Sequence, residues 1–426
     1  MARSLSELKI FRLGVMLLIA AFLSSSAAML SFSNTFLLLL AFIGLLFFSE
    51  AGSPEFKASS LFYFSLTLLL ISFFLISHVV FFIGWDFLFT YQADVFVKLL
   101  LCIPVIWLIY SVQLTGREII LIFAMAGTYA VFYSTAVWLE GSPRGQGLLE
   151  SPIHLGNLAV TFSLISLVLF FYTQSFWLKI WLFIIFLFAF FLSVQTGSKG
   201  GWVAVVLVSL SIGVYLFFVS KKMFWLFIGL LFGVMSIMAA IWEQLPVGPR
   251  LYSAYEGWLG YWSEGQVTEG SVGPRLEIWR SVWLGMADFN LMQWLFGIGF
   301  MGFESHWREF VESGESLITS EHPHPHNDFL QLIFEFGLFG LFLFGALLFI
   351  PLKVFFKGVW FLKDNDKFIA FSGIILAEMY LEFMLSDQNI FVKQLLFNYV
   401  VLSALLMSLV QKKTRQQLPL LNNKEM

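Results

Sequence analysis

The chain has 426 residues and a formal net charge of −3; 59% of its residues are hydrophobic and only 12% are charged. A soluble domain carries about 25% charged residues, so this composition excludes a water-soluble globular protein, and the near-neutral balance does not imply nucleic acid as a partner. The 53 Phe and 15 Trp suit lipid-facing helices with aromatic interfaces, and the single cysteine, Cys102, leaves no internal disulfide to form.

A spanning helix needs about 20 mostly apolar residues. Segments of that kind begin near Phe11, Phe36, Leu61, Val95, Glu118, Leu155, Phe176, Gly200, Met223, Asn327, Phe368 and Ile390. The expected fold is therefore all-α, a polytopic transmembrane bundle of about 12 spans, the second of them rather short. Arg3, Lys9 and Arg12 ahead of the first apolar run resemble the start of a signal peptide. The run resumes directly after the small residues at Ser24 to Ala28, so an uncleaved first helix is expected.

Lysine and arginine are retained on the cytoplasmic side of a bilayer. With the N-terminus inside, the inner face collects Lys57, Arg117, Lys179, Lys221, Lys222, Lys353, Lys357 and the tail with Lys412, Lys413, Arg415 and Lys424. The outer face keeps roughly half as many basic residues, among them Lys98, Arg144, Lys199, Arg250, Arg275, Arg280, Arg308 and Lys393. Both termini are expected on the cytoplasmic side. The expected organisation is a bundle of about nine spans over 1–242, an outer loop over 243–325, about three further spans over 326–410 and a tail over 411–426. The outer loop holds Trp258, Trp262, Trp279, Trp283, Trp294 and Trp307, too aromatic a set for a solvated linker.

Three polar clusters could carry chemistry. Gly273-Pro274 reads as a helix start, with proline in the first turn where its missing N–H costs nothing. At helical spacing Arg275, Ile278, Trp279, Val282, Met286 and Phe289 share one face, and Glu277, Arg280, Ser281 and Asp288 fall on an opposite, wet face. The helix should lie along the membrane or bundle surface. Arg280 is expected to pair with Glu277 three residues away, and it is also kept as a third candidate ligand for an anion. The second cluster is His322-Pro-His324-Pro-His326-Asn327-Asp328. Alternation with proline predicts an extended rod whose rings do not converge on a metal ion, whereas a histidine at the mouth of a helix suits a general base. Asp328, Gln331 and Glu335 continue as a polar stripe that must face the bundle interior or a wet cavity. The third is the outer turn Gln195-Thr-Gly-Ser-Lys-Gly-Gly201, which fixes Lys199 at the membrane edge, where the plainer reading is a snorkelling lysine. Glu378 and Glu382 lie one turn apart inside a span, where pairing with a cation such as Lys98 or Lys393 and a functional role are both open. Cations at one membrane edge suit a phosphate or diphosphate, and a greasy bundle beside them suits its lipid tail.

The run His326-Asn327, nine residues, Gly337-Leu-Phe-Gly340 resembles the histidine motif of the bacterial O-antigen ligase family, which includes O-antigen polymerases and protein O-oligosaccharyltransferases. Arg275-Leu-Glu-Ile-Trp279 is similar to the family's arginine motif, Trp294-Leu-Phe-Gly-Ile-Gly-Phe300 to the segment after it, and Thr196-Gly-Ser-Lys-Gly-Gly201 to a family turn that normally carries arginine. The resemblance implies a membrane glycosyltransferase of C-type architecture that uses an undecaprenyl-diphosphate-linked glycan and needs no metal or other cofactor. On the matching positions His326 and Arg275 would be catalytic. Lys199, Arg275 and Arg280 would hold the diphosphate, and His324, Asn327, Asp328, Gln331 and Glu277 would support them. The acceptor would be lipid A-core for a ligase or a second lipid-linked glycan for a polymerase, on the periplasmic face of the inner membrane. The expected absence of a large C-terminal soluble domain speaks against a protein O-oligosaccharyltransferase. A transporter or flippase, for which twelve spans is also common, is the alternative of another class, but transporters gather polar groups near the midplane.

Overall fold

The computed structural model describes residues 5–27, 33–84, 94–140, 152–240, 243, 247–267 and 270–422. Arg3, Arg144, Trp242 and Lys424 lie outside the described residues. The described secondary structure is helical throughout: α1 (Leu5–Ala27), α2 (Ser33–Leu45), α3 (Ser60–Phe82), α4 (Cys102–Val112), α5 (Gly116–Glu140), α6 (Pro152–Tyr172), α7 (Phe176–Thr196), α8 (Lys199–Val219), α9 (Lys221–Ala240), α10 (Val247–Leu259), α11 (Val272–Ala287), α12 (Leu291–Phe296), α13 (Gly302–Glu312), α14 (Asp328–Phe361), α15 (Asp364–Ser386) and α16 (Lys393–Asn422), with single-turn helices between some of them.

Eleven segments among the described residues are long and apolar enough to cross a membrane. The exception to the expected dozen is α2, whose 13 residues reach only about 20 Å at 1.5 Å per residue, short of a hydrocarbon core of about 30 Å. The chain nevertheless returns there. Arg12 near the start of α1 pairs with Glu118 at the start of α5, whereas Ser26 near its end donates to the Gln394 carbonyl at the head of α16. After α2, Phe47 packs against Phe11, back at the level where α1 began. The short helix and the turn behind it thus make a pass, and the start of α1 and the end of α16 share one end of the bundle, the end where Lys413 pairs with Asp366. We refer to this as the far end.

At the opposite end α10 to α13 form a lobe inserted between α9 and α14. The lobe has an apolar centre of its own, Ile278, Val282, Met286, Phe303, Trp307 and Phe310, completed by Phe334 from α14. Its seat on the bundle depends on glycines. Gly337 bends α14 with φ of +65°, and Gly297 after α12 has φ of +76°. The two face one another across the junction, so that a Cβ on Gly297 would strike the Glu335 carbonyl and one on Gly337 the Leu295 carbonyl. Only glycine tolerates both the positive φ and the approach. The bend presents the Phe334 and Glu335 carbonyls to the lobe, where they accept from the Ile298 and Gly299 N–H groups at 3.1 Å each. His78 of α3 adds a ring N–H donated to the Phe296 carbonyl at 2.8 Å.

Candidate functional site

The site assembles at the lobe end, where α14 begins and α15 ends. Asn327 caps α14, its side chain accepting from the Leu330 N–H and donating to the Leu385 carbonyl. The cap satisfies one of the orphan donors of the helix and joins the histidine segment to α15. The residue before it, His326, takes φ of +50°, a left-handed conformation uncommon outside glycine. That bend breaks the expected rod. The His324 and His326 rings come to 4.3 Å between centroids, edge to face, contrary to the expectation that proline spacing keeps them apart. The Trp279 indole N–H, donated to the Pro325 carbonyl at 3.0 Å, holds the segment against α11.

His326 Nδ1 lies 2.8 Å from Asp387 Oδ1, and Arg275 stands 4.0 Å from Asp387 Oδ2. Asp387 is 4% exposed and His326 24%. Burial by itself would push the Asp387 carboxyl up, but the hydrogen bond and charge of His326 and the charge of Arg275 hold it far below the usual carboxylate range. An ionised carboxylate can only accept, so Nδ1 carries a proton, and in the neutral ring Nε2 is the free lone pair. Burial lowers the Arg275 guanidinium, and Asp387 partly offsets that. Burial also pulls His324 down to about 3, so it stays neutral beside His326. His324, His326 and Asp387 offer one ligand atom each within 4.8 Å of one another, a set that could hold a metal ion.

The turn with Asp387 is held from three sides. Asp328 Oδ2 accepts from the Asn389 and Ile390 N–H groups at 2.8 and 3.0 Å. Gln331 accepts from Gln388 Nε2 and donates to Glu335, whose other oxygen accepts from the Phe303 N–H of the lobe. The polar stripe of α14 therefore does face the interior, where it fixes the turn and the lobe. From the third side Asn157 of α6 donates to Asn389 and accepts from Ser198, the residue before Lys199. Lys199, first residue of α8, donates to Ser271 Oγ at 3.0 Å, and Ser271 precedes the arginine helix α11. Lys199, Arg275 and His326 are thus linked through short contacts at one end of the bundle.

Arg280 sits apart. It donates twice to Glu277 at 2.7 and 2.9 Å and once to the Glu315 carbonyl. The pairing was expected, but only part of the wet face is found: Asp288 is exposed, whereas Glu277 and Ser281 are fully buried. Tyr261 and the Leu317 N–H donate to Glu277, and His306 of α13 covers Ser281 through its carbonyl. The lobe closes over that side of α11, which spacing along a single helix does not reveal. Burial would raise the Glu277 carboxyl, but the hydrogen bonds from Arg280, Leu317 and Tyr261 bring it below its ordinary range. Glu378 in α15 accepts from Ser211 of α8 at 2.8 Å.

Asp387, Asn389 and Asn157 were missed from the sequence. The available signal was the polar run Ser386-Asp-Gln-Asn389 between two apolar spans, on the same side as His326 in the expected topology.

Fold and site together define a polytopic membrane protein, helical throughout its described residues, with a histidine, a carboxylate and an arginine gathered where its spans meet a lobe of shorter helices. Residues 184–345 match the family model described as O-antigen ligase, and the match supports that family for this chain. A protein of Haemophilus influenzae described as uncharacterized is 23% identical over 287 residues, 65% of this chain and 69% of that protein. Asp387 lies beyond the matched residues.

Proposed function

We propose that the chain transfers a glycan from an undecaprenyl-diphosphate-linked donor to the lipid A-core of lipopolysaccharide, at the periplasmic face of a bacterial inner membrane. The observation that carries this reading is the bond from His326 Nδ1 to a buried, ionised Asp387. It orients the ring and leaves Nε2 to take the proton of the acceptor hydroxyl. The hydroxyl oxygen then attacks the anomeric carbon opposite the diphosphate, the bond from that carbon to the diphosphate oxygen breaks, and the configuration inverts. Arg275 and Lys199 bind the diphosphate and offset the charge that grows as it leaves. Lys199 supplies a point charge, without the two-pronged fork of an arginine. His324, Asn327, Asp328 and Gln331 support the histidine and the Asp387 turn, and Glu277 with Arg280 clamps the lobe. In this reading the reaction needs no metal, because Nε2 serves the acceptor hydroxyl.

The far end carries Lys57, Arg117, Lys221, Lys222, Lys357 and Lys412, which supports a cytoplasmic far end with both termini and a periplasmic lobe. In this reading 1–242 and 326–410 hold the lipid, 243–325 is the periplasmic part and 411–426 is a cytoplasmic tail. Gathering of Lys199, Arg275, His326 and Asp387 at helix ends, away from the midplane, favours an enzyme over a transporter.

The test is His326→Ala in a strain lacking the chromosomal gene. Polymer attached to lipid A-core should be lost and lipid-linked polymer should accumulate, with the variant present in the membrane at the normal level. Near-normal attachment would remove His326 from the mechanism. If deletion of the gene leaves single repeat units on the core, the chain is the polymerase; if it traps unprocessed donor inside, it is a transporter.

A further inference from the structure

Helix α10 is built the wrong way round for a helix that meets water. Taken at about 100° per residue, Leu251, Tyr252, Tyr255, Trp258 and Leu259 fall on one stripe, which Trp262 of the following π-turn Gly260–Glu264 extends. All six are exposed, from 40% at Leu259 to 66% at Trp262. The opposite side, turned into the protein, carries Ser253, Ala254, Gly257 and Gly260, of which both glycines are buried. Small residues inside and six large apolar or aromatic ones outside reverse the pattern of an aqueous surface.

We propose that α10 is an interfacial membrane anchor, lying in the plane of the bilayer with this stripe at the boundary between headgroups and acyl chains. The bilayer is the occupant that the fold itself supplies. The segment follows the apolar helix α9 by six residues, and Arg250 at its start donates to the Gly197 carbonyl at 3.0 Å. Gly197 caps α7, so α10 begins at the level where a spanning helix leaves the membrane. Tyrosine and tryptophan suit that level, with an apolar ring and a polar edge. Glu256, at the border of the stripe, is exposed and would face water. The anchor is also tied to both cation-bearing elements: Arg250 grips the turn before Lys199, and Tyr261 donates to Glu277 beside Arg275. The inference rests on the membrane-crossing helices and not on the transfer reaction.

Nitroxide labels introduced one at a time by Tyr255→Cys, Trp258→Cys, Trp262→Cys and Glu256→Cys test this in the full chain reconstituted in phosphatidylethanolamine–phosphatidylglycerol nanodiscs. The native Cys102 is fully buried and does not compete for label. Relaxation by oxygen should exceed relaxation by a water-soluble nickel chelate several-fold at 255, 258 and 262, and the order should reverse at 256. Nickel access at 255, 258 and 262 equal to that at 256 would overturn the anchor. So would broadening between labels on two chains, since a second copy would then cover the stripe.

Discussion

Asp387 meets both His326 and Arg275, and its replacement separates charge from shape. Asp387→Asn keeps the volume, but the amide can donate to Nδ1 and so stabilise the wrong tautomer, with the proton moved to Nε2. Transfer is expected to fall on the order of 10³-fold with little change in thermal stability, measured as polymer attached per unit of membrane-inserted protein. Arg275→Ala should cost about 10²-fold or more in transfer. Arg280→Ala should chiefly lower the melting temperature, because it strips Glu277 of two of its hydrogen bonds; equal losses of transfer at both positions would contradict the separation of the two arginines. The Glu277 carboxyl sits below its unfolded value, so its stabilisation is present above the ordinary glutamate pKa of about 4.3 and is lost as the pH falls through the lower, folded value. A melting curve followed from pH 7 down to pH 3 should fall at the acid end, and Glu277→Gln should flatten that fall.

At the scale of the element, the glycine motifs do structural work. Gly337 and Gly297 let α14 bend against the segment after α12, so the lobe can hang its backbone on Phe334 and Glu335. Gly337→Ala forces a side chain into a carbonyl at a positive φ. We expect a loss of roughly 2 kcal/mol or more, seen as a lower melting temperature in detergent and as protease sensitivity confined to the lobe. A neighbouring exposed change such as Leu338→Ala should leave both unaltered. The motif Gly337-Leu-Phe-Gly340 was readable as a string, yet its partner is another motif some forty residues earlier, and the meeting of the two is a property of the fold.

For the whole molecule, the proposed sidedness has a direct measurement. Arg308→Cys on the exposed side of α13 should react with a membrane-impermeant maleimide in right-side-out vesicles, and Lys222→Cys at the far end should react only in inverted ones. The opposite pattern would move the site to the cytoplasm. The sequence by itself determined the membrane class, the position of nearly every span and the three clusters around Lys199, Arg275 and His326, because apolar runs about 20 residues long and polar groups at their ends carry their meaning locally. It could not decide the partner of the histidine. Asp387 is 61 residues away in sequence and outside the recognisable motifs, and only packing α15 beside α14 brings the carboxylate to Nδ1. Burial of Glu277 and the outward stripe of α10 were decided the same way, since helical spacing tells which residues share a face and only the neighbouring elements determine what that face meets.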